Sequence, residues 1–314
     1  MSEVLAPAAL NAAQQQVLDQ LGSTDRPNFD PALRAQLRHE LDQAFEPMLE
    51  HISLEEPLFV SKRAISMVHN CEQLYVADQT EEFRWSVPIA RGIVSHKAIE
   101  LLVGYRGNPT PLDLVDAAIA RLENDQFGPA DFLRGLSEGE RAELVALAND
   151  RVTTFMETFP PLERQWRPTT EARVRAEFGE GRIQLSGKID LQLGFARGTQ
   201  AGKVTIDLKT GRTHRSHMDD LRFYALIDTL KSGTPPRLLV SYYLEQGLPH
   251  TEAVTEELLW SAARRTAEAV ARIVELNGGE VTPARTPGGS CSFCPLNDSC
   301  EEGIAYLTER RQLS

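Results

Sequence analysis

Four stretches in the second half of the chain have the apolar pattern of β-strands. They span residues 173–178, 182–193, 203–209 and 238–244. Apolar and polar residues alternate in the first two, as expected when successive side chains lie on opposite faces of a strand, and the other two are short segments rich in apolar residues. Residues 179–181, Gly-Glu-Gly, predict a tight turn between the first two strands.

Helical spacing of apolar residues is found in most of the remaining chain. Helices are predicted from near Ser61 through Tyr75, over about 91–103, in two amphipathic segments between 112 and 159, over 216–230, and in a long segment ending at 277–279. Residues 1–60 are polar and predicted to be helical. Three successive strands, a helix, a strand and a helix predict a mixed α/β (α+β) core with helical attachments.

Composition is that of an ordinary globular protein. The chain has 314 residues, of which 41% are hydrophobic and 25% charged, and its apolar runs are far shorter than the ~20 residues of a bilayer span. The first residues lack a basic segment followed by an apolar one, so we expect a cytoplasmic protein with no membrane partner. The net charge of −12 argues against a nucleic-acid partner, although a local basic groove is compatible with an acidic total.

Two acidic residues and a lysine stand near the ends of apolar strands. Asp207 and Lys209 are two residues apart and share one face of their strand, and Asp190 lies on the preceding strand, which can pair with it. Two carboxylates and the carbonyl of Leu208 offer hard oxygen ligands to Mg²⁺. A lysine beside such a metal can position a water or hold a phosphate, which suits phosphodiester hydrolysis. Taken alone, a D-x-K pattern is also typical of ordinary polar residues at strand ends.

Four cysteines are present, and three of them lie within ten residues of one another. Cys291, Cys294 and Cys300 form a C-x2-C-x5-C pattern, and Cys71 stands far upstream. Disulfides are rare in a reducing cytosol, so the cluster favours a metal site. Four thiolates accept either zinc or a [4Fe–4S] cluster, and the spacing alone leaves both open.

The sequence around the acids resembles a known nuclease signature. Residues 187–190 read G-K-I-D, and residues 206–211 read I-D-L-K-T-G. Together they resemble the paired motif of the PD-(D/E)xK nuclease superfamily, and more closely that of its RecB-like branch. The resemblance implies a restriction-endonuclease-like core in which Asp190 and Asp207 bind Mg²⁺ or Mn²⁺ and Lys209 is catalytic.

Two further marks of that branch lie on predicted helices. Its G-x-x-x-H motif, whose histidine ligates the metal, is matched by Gly92 and His96. Its Q-x-x-x-Y motif is matched by Tyr224, but Asp220 stands where the family has glutamine. The resemblance places Tyr224 with the catalytic residues and implies that position 220 helps to position DNA or the lysine. An aspartate there can accept a hydrogen bond from Lys209, but it repels phosphate.

The cysteine pattern resembles the iron staple of AddB-type and Cas4-like nucleases. In that arrangement one cysteine precedes the histidine helix and three follow the nuclease core. The resemblance implies a [4Fe–4S] cluster, with Zn²⁺ as the alternative. Its ligands would be Cys71, Cys291, Cys294 and Cys300.

The motifs also suggest how the chain is divided. They cover about residues 61–303, which we expect to form the nuclease domain with a helical insertion at about 108–165. Residues 1–60 are expected to form a helical N-terminal extension, and residues 304–314 a tail.

These marks together predict a metal-dependent DNA nuclease, an exonuclease acting in DNA repair, recombination or defence. Its partner would be single-stranded DNA or duplex ends, which Arg212 and Arg215 are placed to contact. No phosphate-binding loop of a motor occurs in the sequence, so on long DNA we expect the protein either to work distributively or to act with a helicase partner. The alternative is a non-catalytic iron–sulfur DNA-binding subunit of a helicase–nuclease or Cas4-like complex.

Overall fold

A computed structural model shows how the predicted strands and helices assemble. The structure describes residues 9–23, 25–80, 83–105, 107–126, 128–211, 213–214, 216–279 and 281–312. Each of the four predicted strands is present close to its predicted bounds, and the mixed α/β class is confirmed.

A mixed sheet of six strands lies at the centre of the described residues. The strands are β1 (Leu58–Val60), β2 (Thr169–Phe178), β3 (Ile183–Leu193), β4 (Val204–Lys209), β5 (Leu238–Tyr243) and β6 (Leu248–Ala253). β2 pairs antiparallel along almost the whole of β3, while β1 pairs parallel with the start of β3 and β4 pairs antiparallel with its end. β5 is parallel to β4, and β6 lies antiparallel to β5 at the edge.

Two of these strands, β1 and β6, are not predicted by the sequence pattern. β1 is only three residues long, too short to show an alternation. β6 reads L-P-H-T-E-A and is largely exposed because it borders the sheet, so it has no continuous apolar face. Both are recognised only through their pairing with longer strands.

Eleven α-helices surround the sheet in the part of the chain that the structure describes. They are α1 (Ala12–Leu21), α2 (Leu33–Phe45), α3 (Lys62–Asn70), α4 (Glu72–Thr80), α5 (Val87–Gly104), α6 (Pro111–Glu123), α7 (Ala130–Gly135), α8 (Glu138–Thr158), α9 (Ser216–Ser232), α10 (Glu256–Gly278) and α11 (Glu301–Gln312). Ser61 caps α3 as predicted, its hydroxyl accepting a hydrogen bond from the amide of Ala64. The prediction of one continuous helix through Tyr75 is wrong, because Cys71 has an extended backbone and separates α3 from α4.

One face of the sheet is covered by α2, α3, α9 and α10, which share a hydrophobic core with it. α2 contributes Leu33, Leu37, Leu41 and Phe45, which recur at four-residue spacing and are all buried. Burying each of these side chains contributes roughly 1.5–3 kcal/mol. The polar N-terminal segment is therefore part of the central core.

The other face is covered by α1, α5 and α8. α5 also packs with α6 and α8 in a separate hydrophobic cluster, so this helix joins the sheet to the helical segment that follows it. Its position is therefore fixed from two sides. Among the helices of the described residues, none is long and apolar enough to cross a membrane.

Candidate active site

Strand β3 changes face at Asp190. Ile189 packs into the core beneath α9, whereas Leu191 packs into the core beneath α1 and α8, although two such residues of a regular strand share one face. On β2 the residue opposite Asp190 in the register is Glu171, whose backbone is left-handed (φ 53°). A non-glycine residue in this conformation costs about 1–3 kcal/mol, and such strain concentrates at functional sites.

The pairing of β3 with β4 also ends at this point. Leu191 and Ile206 form the last pair, and beyond it the carboxylate of Asp190 accepts a hydrogen bond from the amide of Leu208 at 2.8 Å. A side-chain oxygen thus replaces the strand partner that this amide would otherwise need. The local geometry places Asp190 and Asp207 where the two strands diverge, as the sequence pattern predicts.

Asp207 is almost completely buried between two lysines. Its Oδ1 lies 2.7 Å from Nζ of Lys62, and its Oδ2 lies 2.7 Å from Nζ of Lys209. Burial acts to raise the pKa of Asp207, but the two ammonium groups outweigh it and hold this pKa well below its usual range. Asp207 is therefore an anion throughout the physiological pH range.

Lys62 is a site residue that the sequence analysis does not identify. It is the first residue of α3, directly after β1, and its ammonium also lies 4.0 Å from Asp220. Burial acts to lower the pKa of Lys62, but the carboxylate of Asp207 outweighs it and holds this pKa above its ordinary value. No motif contains Lys62, and its placement depends on β1 joining the sheet beside β3.

Helix α9 brings Asp220 and Tyr224 to the same cluster. Nζ of Lys209 donates to Asp220 at 3.3 Å, so the aspartate at this position accepts a hydrogen bond from Lys209. Burial raises the pKa of Asp220, and the two lysines act in the opposite direction. Asp220 thus adds a third buried carboxyl group to the cluster.

The tyrosine of α9 explains the glycine of the G-K-I-D motif. A Cβ atom at Gly187 would lie 2.3 Å from Cε1 of Tyr224, which is closer than any real contact. The Tyr224 ring therefore requires a glycine opposite it. Lys62 lies over this ring, with Nζ 4.8 Å from the centroid. Burial raises the pKa of Tyr224 to about 12, so its hydroxyl stays protonated.

His96 approaches Asp190 from α5. Its Nδ1 lies 3.4 Å from Oδ1 of Asp190. Burial acts to lower the pKa of His96, but the carboxylate of Asp190 outweighs it and raises this pKa above the ordinary value. Gly92, one turn earlier, allows the close packing that this requires, because a Cβ there would lie 3.3 Å from Oγ1 of Thr210. The G-x-x-x-H and D-x-K-T-G motifs are thus in direct contact.

His217 lies at the other side of the cluster, near the start of α9. Its Nδ1 is 3.0 Å from the hydroxyl of Tyr243, the last residue of β5. Burial, followed by the nearby Lys209 ammonium, lowers the pKa of His217 to about 4, so this ring is neutral at pH 7. Arg212 and Arg215, which are expected to contact DNA, lie outside the described residues.

The donor atoms suit a hard divalent cation, although they are not yet gathered around one point. Within the described ranges, no group of three or more His, Cys, Asp or Glu side chains is arranged to hold a metal ion. The physical reason is that two ammonium groups sit against the Asp207 carboxylate. Its Oδ2 forms an ion pair with Lys209 but no well-directed hydrogen bond, so this buried oxygen retains the capacity to coordinate a cation.

The cysteines predicted to act together do come together. They are all free, and they line one pocket between the start of α4 and the C-terminal segment: Cys71, Cys291, Cys294 and Cys300. A Cβ at Gly303 would lie 3.6 Å from Sγ of both Cys291 and Cys300, so the glycine leaves room beside two thiols. Burial, followed by the other three cysteines, raises the pKa of the Cys294 thiol. The thiols are neighbours without being a preformed ligand set.

A family model for the PD-(D/E)XK nuclease superfamily matches residues 60–301, which is most of the chain. The matched region includes all of the motifs described above. The chain therefore belongs to the PD-(D/E)XK nuclease superfamily, and its general function is that of a nuclease.

Two solved structures resemble the chain in outline. One is of a protein from Eubacterium rectale, provisionally described as an exonuclease, with a TM-score of 0.48 and 14% identity over 77% of this chain and 89% of that one. The other is of the protein SSO0001, with a TM-score of 0.34 and 12% identity over 84% of this chain and 95% of that one. No curated protein matches the chain. Likenesses this distant support no inference about the site.

Proposed function

We propose that the chain is a Mg²⁺- or Mn²⁺-dependent deoxyribonuclease of the RecB-like branch, acting as an exonuclease. The observation that supports this is a single connected cluster at the diverging ends of β3 and β4. His96 contacts Asp190, Asp190 holds the amide of Leu208, and Asp207 contacts Lys209. The cluster combines acids, an imidazole and a lysine in one buried place, as phosphodiester hydrolysis requires.

We assign the metal to His96, Asp190, Asp207 and the carbonyl of Leu208. A divalent cation bound there supplies a water of lowered pKa and neutralises charge on the phosphate. For Asp207 to serve as a ligand, its carboxylate gives up the contact with Lys62. Lys62 remains close to Asp220 and over the Tyr224 ring, which can hold its ammonium nearby. Lys62 is thus a positioning residue that competes with the cation for one carboxylate.

Lys209 is the residue we assign to the proton and phosphate chemistry. Its ammonium is held between Asp207 and Asp220, which fixes its direction. From that place it can orient the attacking water or donate to a phosphate oxygen. Tyr224 supports the arrangement as a neutral packing partner for Lys62, and Asp220 replaces the glutamine of the family by accepting from Lys209.

The substrate that fits this site is DNA, either a single strand or a duplex end. Lys62 and Lys209 provide positive charge at the cluster, and Arg212 and Arg215 lie close to it in sequence. Repair, recombination or defence in the cytoplasm is the process we propose, together with a helicase that supplies unwound DNA. The net charge of −12 makes such a partner useful, since the chain alone attracts DNA weakly.

We further propose that Cys71, Cys291, Cys294 and Cys300 hold a [4Fe–4S] cluster. Support comes from the shared pocket, which joins thiols from both sides of the nuclease core. Four thiolates suit zinc equally well, so the two metals are the competing outcomes. Anaerobic purification followed by iron, sulfide and zinc analysis decides between them. A brown protein with about four iron atoms supports the cluster; a colourless protein with one zinc overturns it.

The nuclease proposal is tested with anaerobically purified protein and end-labelled single- and double-stranded DNA. Cleavage is expected with Mg²⁺ or Mn²⁺ and not with EDTA. Lys209→Ala should slow it roughly 10²–10⁴-fold, the usual contribution of a positioned proton-transfer group. Lys231→Ala, which removes an exposed lysine of α9, is the matched control and should cleave like wild type. The fragment pattern distinguishes trimming from an end from internal cutting.

A second function remains in view because of one observation. Asp220 places an extra carboxyl group beside the two lysines, where it repels a phosphate backbone. This favours a non-catalytic iron–sulfur subunit that guides DNA for a helicase–nuclease or a Cas4-like complex. Folded, metal-loaded protein that binds DNA but cuts no substrate, with or without Lys209→Ala, would support this function instead.

A further inference from the structure

A second basic site lies at the opposite end of β4 from the catalytic cluster. A pocket of about 410 Å³ opens between the end of α1, the segment after α8, the end of β3 and the start of β4. This volume is in the range of pockets that hold small organic ligands. Val204 lines it, three residues before Asp207, which is about 10 Å along a strand. The pocket is thus separate from the proposed metal site.

Its polar lining is cationic in an acidic protein. Three arginines, Arg26, Arg197 and Arg237, line the pocket, and none of the described residues that line it is an aspartate or glutamate. The chain as a whole carries a net charge of −12. The lining is therefore positively charged although the chain as a whole is negatively charged, and such a lining favours the binding of an anion.

Arg237 is the most buried of the three. It is 9% exposed, it donates one Nη2 hydrogen bond to the carbonyl of Leu21, and its buried Nε has no hydrogen-bond partner among the described residues. Burial, followed by the neighbouring Arg26, lowers the pKa of Arg237 to about 10. A buried cation next to a second cation is unfavourable until an anion neutralises them. The carboxylate of Asp25, which does not line the pocket, acts to raise the pKa of Arg237.

The lining also contains three aromatic residues. Trp166 and Phe159 contribute ring surface to the pocket, and Phe195 lies beside them. The guanidinium groups of Arg167 and Arg197 are 4.1 and 5.3 Å from the centroid of the Phe195 ring, which orients both side chains at the rim. Aromatic surface beside arginines suits a ligand with a planar ring and an anionic group.

We propose that this pocket binds a phosphorylated nucleotide, with the phosphate on Arg26, Arg197 and Arg237 and the base against Trp166. Guanidinium groups match phosphate oxygens through paired hydrogen bonds, and a base stacks on any aromatic face. The nucleotide is either a free nucleoside monophosphate or the phosphorylated end of a DNA strand. The site does not depend on cleavage and stands apart from the proposed nuclease function.

Calorimetry on the full-length protein in EDTA tests this, with dTMP, thymidine and inorganic phosphate as probes. We expect dTMP to bind, and thymidine and phosphate each to bind at least roughly tenfold more weakly. Arg26→Gln combined with Arg197→Gln should weaken dTMP binding roughly tenfold or more, since each lost charge-assisted bond contributes appreciably. Asp207→Ala, which disables the separate cluster, should leave dTMP binding unchanged.

The two sources of the nucleotide are separated with a short single strand carrying a 5′-phosphate or a 5′-hydroxyl. A preference for the phosphorylated strand that disappears in the double arginine variant identifies the strand end. Binding of dTMP without that preference identifies the free nucleotide. The proposal is overturned if dTMP does not bind, if phosphate binds as tightly as dTMP, if the folded double variant binds like wild type, or if Asp207→Ala abolishes binding.

Discussion

The cluster around Asp207 and the cysteine pocket both gather side chains that we propose as metal ligands, but different forces hold those side chains in place. In the cluster around Asp207, this residue is 2% exposed on β4 of the central sheet and lies between Lys62 of α3 and Lys209 of β4. In the cysteine pocket, the thiols lie on a helix boundary and on irregular segments near the C-terminal end, and all are partly exposed. One site is organised by the fold, and the other sits on segments that have little core of their own.

This difference predicts opposite responses to metal. Lys62 and Lys209 neutralise Asp207 when no cation is bound, so we expect the fold not to depend on a metal there. The cysteine segment between α10 and α11 buries few apolar side chains, so a metal bound there would supply the missing stabilisation. We therefore expect a metal at the first site to serve chemistry and a metal at the second to serve structure.

The largest expected effect follows from breaking the cysteine site. Cys291→Ser combined with Cys294→Ser removes two proposed ligands and should lower the Tm on the order of 10 °C, because metal binding at such sites is folding energy. Ser299→Ala, an exposed change in the same segment, is the control. EDTA at a concentration that stops cleavage should leave the wild-type Tm nearly unchanged if it strips only the catalytic cation. Equal Tm values for the double variant and Ser299→Ala would contradict the proposed role.

A smaller effect is expected from the packing that organises the catalytic cluster. Gly187→Ala places a methyl group 2.3 Å from the Tyr224 ring and should cost about 1–3 kcal/mol of unfolding free energy. Cleavage should fall as well, because Tyr224 is also the partner of Lys62. Gly139→Ala on α8, where a Cβ meets nothing within 4 Å, is the matched control and should be neutral or stabilising. Urea unfolding of both variants measures the difference.

The charge balance at Asp207 gives the next prediction. Lys62→Met removes one of two cations that repel a bound metal. The Mn²⁺ concentration at half-saturation should therefore fall roughly threefold or more. Calorimetric titration with Mn²⁺ measures this without reference to the rate of cleavage. Lys231→Met controls for the loss of a lysine elsewhere. Metal binding weaker than that of wild type would show that Lys62 organises the ligand set instead of competing with the cation.

The smallest expected effect concerns acid. His217 has an ordinary pKa of 6.5 and a folded pKa of about 4, so between these values the unfolded chain takes up a proton that the folded chain does not. The free energy of unfolding of the wild type should therefore decrease as pH falls from about 6.5 to about 4, and it should decrease more than that of His217→Gln. Urea unfolding in EDTA at pH 7 and pH 5 measures the excess, with exposed His39→Gln as control. Parallel responses of wild type and His217→Gln would remove His217 as the cause.

The site residues that lie in motifs could be predicted from the sequence, and the structure gives the physical reason for their spacing. Gly187 and Gly92 are fixed by contacts with Tyr224 and Thr210, and the spacing of Asp207 and Lys209 is fixed by the strand period. Lys62 could not be found in this way, because it reaches the cluster through β1, a strand of three residues. Nor could the change of face at Asp190, which lies opposite the left-handed backbone of Glu171 on another strand.

The fold shows the same division. Long elements with a clear period were predictable, including β3, β4, α9 and α10. The break between α3 and α4 at Cys71 was not, because the apolar spacing continues across it. The edge strand β6 carries almost no pattern at all. Elements whose structure depends mainly on contacts with neighbouring elements cannot be predicted from their own sequence pattern.

The pairing of β1 with β3 has a consequence for how the protein is made. The two strands are neighbours in the sheet, yet the whole of α3 to α8 and β2 lies between them in the chain. During synthesis the helices α5, α6 and α8 can form their own cluster first, because β1 cannot pair until β3 has been synthesised. Such long-range pairing slows folding, because a large loop must close before its contacts form. We therefore expect the edge that carries Asp190 and Asp207 to assemble late, after the local helical units have formed.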